Sequence, residues 1–329
     1  MQASPSVPRH SSVLVAGGLG FIGGHLVDRL VASGADEIRV VDNHQRAVCA
    51  SKEWPQKTVS RHDADIREYP SLKRVMQGCQ VVYHLAAQAK VLSSVSDPDY
   101  TFNTNVGGTR NILRAAGELG VRRVVFTSSR EVYGNRDRTP TSEDTPLSPF
   151  NEYGASKAAG EMYCHAAAEH GAVEVSILRL ANVYGPYDQD RVVPRFVQAA
   201  VRGYPLIVYG GDQIIDFVWI DTVIDALIQI GFGGYVSGPI NIGSGVGVTV
   251  SQLAARVLQL VRSKSVCVHK PSRDVEVKGF VADTRRAQKL LEFPAVQDPL
   301  IHLPELISWA RIPNGAVSRR DGQIAEDLS

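Results

Sequence analysis

The chain has 329 residues, 44% of them hydrophobic and 21% charged, and 35 basic against 34 acidic residues leave a formal net charge of +1. This balance excludes the basic field that attracts nucleic-acid phosphates, so nucleic acid is not an expected partner. No apolar run reaches the roughly 18 residues of a membrane span, residues 1–10 lack a signal-peptide core, and four scattered cysteines indicate no metal site. We therefore expect a cytoplasmic protein without metal or membrane contact.

Short runs rich in Val and Ile alternate with helical patterns through the first half of the chain. The candidate strands, nearly continuous in hydrophobicity as doubly buried strands are, cover Val13–Ala16, Ile38–Asp42, Val81–His84, Arg123–Ser128 and Glu174–Leu180. The helical patterns cover Phe21–Ser33, Tyr69–Gln77, Asn105–Leu119 and Tyr153–His170, and left-handed caps are expected at Gly34 and Gly171. This repetition predicts an α/β fold with a Rossmann-type doubly wound parallel sheet.

The alternation of short strands and helices changes after Leu180. A short helix over residues 195–202, a strand over 206–209 and a helix over 249–262 with Thr249 as N-cap are expected. Strands at 217–220 and 239–242 are predicted to return to the main sheet. The predicted organisation is a Rossmann domain over 11–180, joined by 217–243, and a smaller C-terminal substrate-binding lobe over 181–216 and 244–312. Residues 1–10 and 313–329 are expected to be tails.

The stretch Ser11–Leu30 is an apolar run that breaks into glycines and continues as a helical pattern. Gly17, Gly20 and Gly23 are spaced three apart directly after a predicted strand. Such glycines permit a tight turn, close approach of backbone to a pyrophosphate and close helix–strand packing, with the helix N-terminus facing the anion. Asp42 follows Gly23 by 19 residues, where a carboxylate accepts both ribose hydroxyls and repels a 2′-phosphate. The pattern predicts NAD rather than NADP.

Tyr153 and Lys157 lie four residues apart at the start of a long predicted helix, so their side chains share one face. A cation beside a phenol favours the phenolate and lowers the pKa of the phenol. The pair is suited to removing a proton from a sugar hydroxyl while hydride leaves the same carbon. This spacing also occurs on ordinary surface helices, and the glycine loop upstream is what gives it significance.

Several motifs in one order complete the pattern, namely GGLGFIG, HLAAQ at residues 84–88, NTNVGGT at 103–109, TSSREVYG at 127–134, YGASK at 153–157 and RLANVYGP at 179–186. From about Val13 to Trp309 the chain resembles the extended short-chain dehydrogenase/reductase family, which includes the nucleotide-sugar epimerases and dehydratases. The resemblance implies a Rossmann fold, NAD, a nucleotide-sugar substrate and a homodimer formed through two helices of each copy.

The resemblance also implies roles for matching positions. It makes Ser129, Tyr153 and Lys157 catalytic, with Ser129 binding the C4 hydroxyl of the sugar. The implied cofactor residues are Gly17, Gly20, Phe21, Ile22, Asp42, Asn43, Asp65, Ile66, Leu85, Ala86, Ala87, Asn105, Tyr153 and Lys157. The implied substrate residues are Gln88, Ser129, Arg130, Glu131, Asn182, Arg191, Val208, Tyr209 and Arg273, of which Arg273 binds the diphosphate. Ordinary packing is the alternative for the outer positions.

The chain departs from the family pattern at informative places. Ile215 stands where such chains commonly carry a diphosphate-binding arginine, so Arg273 needs another partner. Arg130 replaces the acid that expels the C6 hydroxyl in 4,6-dehydratases, and an arginine cannot donate that proton at neutral pH. Plain dehydration is therefore disfavoured. A guanidinium suits a substrate with an anion at C6, and Arg130 and Arg191 are the two candidates to bind a carboxylate there. Alternatively, Arg130 turns outward and Arg191 contacts only the nucleotide.

Two enzyme reactions remain, and both begin by oxidising C4 to a 4-keto sugar. Return of hydride to the other face gives a 4-epimerase acting on a UDP-hexose or UDP-hexuronate, such as UDP-glucose or UDP-glucuronate. Loss of carbon dioxide from a 4-keto uronate gives a UDP-glucuronate decarboxylase, in which Glu131 has a role at C5. The sequence favours the epimerase. An NAD-binding redox sensor is a third hypothesis, disfavoured because Ser129, Tyr153 and Lys157 are all present.

Overall fold

The computed structural model describes residues 11–135, 140–275 and 277–312. Its centre is a seven-stranded parallel sheet in the order β3-β2-β1-β4-β5-β6-β10. Its strands are β1 Ser12–Ala16, β2 Glu37–Asp42, β3 Val59–Asp63, β4 Val81–His84, β5 Arg123–Ser129, β6 Glu174–Leu180 and β10 Pro239–Ile242. The predicted doubly wound Rossmann sheet is confirmed, and its strand order reverses between β1 and β4. Ligands bind at such a switch point, beyond the carboxyl ends of the strands.

Helices cover both faces of the sheet because its central strands are apolar on both sides. They are α1 Phe21–Ala32, α2 Tyr69–Met76, α3 Val91–Ser96, α4 Pro98–Phe102, α5 Gly108–Leu119, α6 Glu152–Glu169, α7 Val192–Arg202, α8 Ile220–Phe232, α9 Val250–Val261, α10 Arg285–Leu291 and α11 Leu303–Ala310. Helices α1 and α8 pack together on one face, and α2, α5 and α6 pack on the other. Left-handed residues follow α1 and α6 at Gly34 and Gly171, as predicted.

The remaining strands build two small sheets beside the main one. They are β7 Asn182–Tyr184, β8 Leu206–Tyr209, β9 Ile214–Trp219, β11 Gly247–Thr249, β12 Cys267–Lys270 and β13 Gly279–Phe280. Strand β9 pairs with β7, β11 and β13, whereas β8 pairs with β12. The expectation that residues 217–243 return to the main sheet is therefore wrong for β9 and right for β10. Both strands are apolar, and hydrophobicity does not encode which sheet a strand joins.

Two helix starts have local causes. Thr249 caps α9 as predicted: its side chain accepts from the Gln252 amide at 3.1 Å, and Gln252 Oε1 accepts from the Thr249 amide at 2.8 Å. The helix expected from Asn105 begins as a turn of π-helix at residues 103–107 and becomes α5 only afterwards. The predicted tails, 1–10 and 313–329, lie outside the described residues. Across the part of the chain that is described, no helix is long and apolar enough to cross a membrane.

Candidate active site at the switch point of the sheet

The glycine loop joins β1 to α1 at the switch point. Gly17 has φ +82°, and a Cβ there would lie 2.7 Å from the Ala86 amide nitrogen. A Cβ on Gly23 would overlap the Gly17 carbonyl oxygen, and Gly20 occupies the N-cap of α1. Only glycines fit this close approach of backbone to backbone. The result is a concave turn at a helix N-terminus, which fits a pyrophosphate.

Asp42 ends β2 beside this loop. Its Oδ2 accepts from the Leu19 amide at 3.0 Å and its Oδ1 from the His44 amide at 2.9 Å. Burial raises the pKa of Asp42, and these two amide hydrogen bonds act in the opposite direction. The carboxylate therefore orders the glycine loop while lining the cleft. In this fold, the carboxylate at the end of the second strand is the one that binds a ribose.

The cleft contains most of the predicted cofactor residues. Gly17, Gly20, Phe21, Ile22, Asp42, Asn43, Ile66, Leu85, Ala86 and Ala87 line it, as do Gln88 and Arg191 from the predicted substrate set. The sequence prediction missed other lining residues, among them Arg46, Tyr100, Thr104, Tyr187 and Asp188. Tyr100 lies on α4 and Thr104 in the π-helical turn, and the other three lie in loops; only the fold brings them to one cleft.

Two predicted cofactor residues, Asp65 and Asn105, are not among the residues that line the cleft, but they form hydrogen bonds with the lining residues Asn43 and Gln88. Burial would raise the pKa of Asp65, but hydrogen bonds from Arg67 and Asn43 outweigh it and lower that pKa to about 2. Asn105 is fully buried; its Nδ2 donates to Ser156 Oγ at 2.8 Å, and its Oδ1 accepts from the Gln88 amide at 2.8 Å. Asn105 thus fixes the start of α6 against the loop that follows β4.

The three predicted catalytic residues come together where β5 ends against α6. Tyr153, half-buried in the first turn of α6, faces Ser129, the last residue of β5, closely enough for the Ser129 hydroxyl to lower the pKa of the phenol. Lys157 is 3% exposed, and its Nζ donates to the Thr127 carbonyl at 2.9 Å. Asn151 sets the start of the helix, because its Oδ1 accepts from the Gly154 amide at 2.8 Å. Asn151 is absent from the residues predicted from the sequence, although Asn just before a helix is a common N-cap.

Opposing effects set the protonation of this group. Burial raises the pKa of Tyr153, whereas the nearby Ser129 hydroxyl and the charges of Arg191 and Arg130 lower it. Burial lowers the pKa of Lys157 to about 8, although the nearby Glu161 carboxylate acts in the opposite direction. Glu161 also binds Ser128 and pairs with Arg179 at 2.7 Å. This buried pair ties α6 to the ends of β5 and β6 and thereby holds Ser129 and Lys157 in place.

Arg130 and Arg191 both have carboxylate partners. Arg130 Nη2 lies 2.8 Å from Glu131 Oε1, and Arg191 Nη1 lies 3.0 Å from Oδ1 of the buried Asp188. The alternative in which Arg130 turns outward is wrong, because its side chain is only 11% exposed. Buried polar atoms without a hydrogen-bond partner among the described residues include Arg130 Nη1, Gln88 Oε1, Asn182 Oδ1 and Asp188 Oδ2. Several polar groups beside the cleft thus remain available to a ligand.

The outer substrate residues lie on the smaller sheets. The Arg273 guanidinium stacks 3.8 Å from the ring centroid of Tyr209 at the end of β8. Asn182 begins β7. The side chain of Val208 is fully buried in the core, so only its backbone can face a nucleotide base. The described residues contain no group of three or more His, Cys, Asp or Glu that could hold a metal ion.

Comparison with known proteins identifies the family to which this chain belongs. The sequence model of the NAD dependent epimerase/dehydratase family matches residues 13–243. A UDP-glucose 4-epimerase of Mycolicibacterium smegmatis is 33% identical over 293 residues, covering 84% of this chain and 91% of the relative. A UDP-N-acetyl-alpha-D-glucosaminuronate decarboxylase of Bacillus cytotoxicus is 33% identical over 316 residues, covering 91% and 97%.

Solved structures give the same fold. MoeE5 in complex with UDP-glucuronic acid and NAD is 31% identical, with a TM-score of 0.83 over 92% of this chain and 99% of that one. DesIV, a dTDP-glucose 4,6-dehydratase from Streptomyces venezuelae with NAD bound, is 29% identical, with a TM-score of 0.87 over 94% and 99%. Epimerases, decarboxylases and dehydratases are all similar to this chain.

Proposed function

Because the chain belongs to the NAD-dependent epimerase/dehydratase family, we propose that it is a nucleotide-sugar 4-epimerase acting on a UDP-hexose or UDP-hexuronate through a 4-keto sugar. Family membership confirms the resemblance stated from the sequence and the prediction of NAD. It establishes NAD-dependent nucleotide-sugar chemistry. The particular reaction is the proposal.

The observation that carries the proposal is the placement of Tyr153 next to Ser129 and beside the buried Lys157. Bound NAD supplies a reversible hydride acceptor. Ser129 would bind the C4 hydroxyl, and Tyr153 would take its proton as the C4–H bond breaks. Lys157 has one of its three donors on the Thr127 carbonyl, which leaves two for the nicotinamide ribose. A base that can return its proton to O4 suits a reaction in which C4 is oxidised and then reduced.

Arg191 and Arg273 support an anionic nucleotide sugar as substrate. Arg191 lines the cofactor cleft, and its charge lowers the pKa of Tyr153. It is therefore placed to contact the proposed sugar as well as the cofactor. Its pairing with Asp188 orients the guanidinium, and a guanidinium so oriented suits a carboxylate at C6. Arg273 on Tyr209 presents a second cation, proposed for the diphosphate. Asn182 is proposed to contact the same phosphates.

Decarboxylation of a UDP-hexuronate is the second candidate. Glu131 is buried beside Ser129, and its backbone amide donates to Ser129 Oγ at 3.2 Å. A carboxylate in this place is suited to proton transfer at C5 after carbon dioxide leaves. Decarboxylases among the relatives, including one from Danio rerio at 29% identity, support decarboxylation as a candidate reaction. The pairing of Glu131 with Arg130 favours the epimerase, because it engages the carboxylate.

We also propose a homodimer formed across α5 and α6. Met162 and Tyr163 on α6 are 65% and 43% exposed, and Phe102 at the end of the adjacent α4 is 62% exposed. Exposed apolar side chains grouped on neighbouring helices are typical of a protein interface. A cytoplasmic location is proposed as well, because all four cysteines are free thiols, as is usual in a reducing compartment.

The test is incubation of the purified protein and NAD with UDP-glucose and UDP-glucuronate in separate reactions, followed by proton NMR. A C4 epimer from either substrate supports the proposal. A pentose nucleotide from the uronate would replace the proposal with decarboxylation. The variant Tyr153→Phe, which keeps the ring and removes the hydroxyl, is the matched control and should form neither product at a comparable rate. Absence of any sugar product with the wild-type protein contradicts both candidates.

A further inference from the structure

Glu131 lies two residues after Ser129, a proposed catalytic residue, and its carboxylate is held by two donors. Arg130 Nη2 lies 2.8 Å from its Oε1, and Asn151 Nδ2 donates to its Oε2 at 2.9 Å. The side chains of Arg130 and Glu131 are 11% and 7% exposed, so the group is screened from solvent. Both oxygens of this carboxylate are therefore engaged inside the protein.

The clamp formed by Arg130, Glu131 and Asn151 lies next to the proposed point of chemistry. The Glu131 amide donates to the same Ser129 hydroxyl that lowers the pKa of Tyr153. Asn151 is also the N-cap of the helix that carries Tyr153. A sugar whose C4 hydroxyl contacts Ser129 and Tyr153 therefore has its adjacent carbons beside the turn that carries Glu131.

A 4-keto sugar has a reactive hydrogen at C5, next to the carbonyl. When a base takes that proton, the C–H electron pair forms a C4–C5 double bond and the carbonyl electrons move to O4, which gives an enolate. Return of a proton from solvent restores the ketone with the isotope of the solvent at C5. A carboxylate with a free oxygen beside C5 would be such a base.

We propose that Arg130 is a positioning residue that determines the outcome of the reaction by withholding Glu131 from the C5 proton. The 4-keto sugar then keeps its C5 hydrogen until C4 is reduced again. This inference rests on the proposed 4-epimerase function. Arg130 has opposite effects on two bases. Its salt bridge occupies the Glu131 carboxylate, whereas its charge favours the phenolate of Tyr153. Its Nη2 pairs with Glu131, whereas its Nη1 is buried without a hydrogen-bond partner among the described residues.

The experiment is turnover of UDP-glucose and UDP-glucuronate in deuterium oxide, with deuterium at C5 and formation of the C4 epimer read in the same NMR spectra. The wild-type protein should form the epimer with C5 hydrogen retained. Arg130→Met, which is apolar and of similar length, should raise C5 deuteration per C4 epimer at least tenfold. Arg130→Lys keeps a cation opposite Glu131 and should stay near the wild-type ratio.

Two further variants separate this proposal from a structural effect. Arg130→Met combined with Glu131→Gln should bring the deuteration ratio back toward wild type, because no carboxylate remains to take the proton. If Arg130→Met does not fold, Asn151→Ser, which keeps an N-cap residue and removes the amide donor, must raise the ratio by itself. An unchanged ratio in the folded single variants, with epimer still formed, overturns the proposal. A wild-type protein that forms no epimer contradicts the proposed function, and this inference with it.

Discussion

Lys157 offers a test in which stability and activity change in opposite directions. Its ammonium is 3% exposed, with a hydrogen bond to the Thr127 carbonyl and a position over the Phe126 ring. Burial lowers its pKa from 10.5 to about 8. Because each pKa unit corresponds to about 1.4 kcal/mol, the protonated folded state bears a cost of about 3 kcal/mol. Replacement by Met removes that cost and loses one hydrogen bond, worth about 1 kcal/mol.

We therefore expect nucleotide-free Lys157→Met to be about 1–2 kcal/mol more stable than wild type at pH 7, and inactive. Below pH 8 the lysine is protonated in both folded and unfolded chains, so the cost is fully present. As the pH rises from 8 to 10.5, the folded Lys157 is already neutral while the unfolded lysine still binds a proton. Wild type gains stability across this range, and the advantage of the variant disappears.

Denaturant unfolding of both proteins at pH 7 and at pH 9.5 measures this difference. Lys73→Met is the control, because Lys73 pairs with Glu118 on the protein surface and its replacement should give no such change over this pH range. A Lys157→Met protein that is less stable than wild type at pH 7 would refute the reasoning. So would a stability advantage that is the same at both pH values.

Three other changes test the surrounding site. Gly23→Ala places a Cβ against the Gly17 carbonyl and 2.7 Å from Gly18 Cα; it should cost about 1–3 kcal/mol of stability and weaken NAD binding in calorimetry. Gly107→Ala, where a Cβ meets nothing within 4 Å, should leave NAD affinity unchanged. Equal losses of NAD affinity in the two variants would contradict the role of the glycine loop in binding the pyrophosphate. Arg191→Ala should reduce turnover of the uronate far more than that of the neutral sugar, and equal losses would remove Arg191 as a carboxylate clamp. Met162→Lys should convert the proposed dimer to monomer in light scattering, and an unchanged mass would exclude this face.

The sequence predicts those parts of the site that depend on short-range geometry. The glycine loop and Asp42 lie within one strand–helix–strand unit, and Tyr153 and Lys157 lie on one helix. The local pattern therefore sets their positions. Strand β3 is not predicted because it is the edge strand of the sheet, and only Val59 of its five residues is buried. Its sequence, VSRHD, has no apolar run to detect.

Several partners of the charged residues could not be predicted, because they come from distant segments. Asn151 binds Glu131 across 20 residues, and Arg46 pairs with Asp190 across 144. The sequence pattern identifies Arg130 as a departure from the family, but only the structure shows that its guanidinium forms a salt bridge with Glu131. The arginine missing at Ile215 is likewise visible in the sequence, whereas the stacking of Arg273 on Tyr209 depends on how two small strands meet.

The central claim is that the Tyr153 phenol takes the proton when C4 of the sugar is oxidised. The most direct measurement is rapid mixing of NAD-loaded protein with its nucleotide sugar, following the near-ultraviolet absorbance of reduced nicotinamide in wild type and Tyr153→Phe. The account predicts that loss of the phenol hydroxyl slows this first reduction about 100-fold or more, the range for a general base, with NAD still bound. Reduction at the wild-type rate in Tyr153→Phe would contradict it.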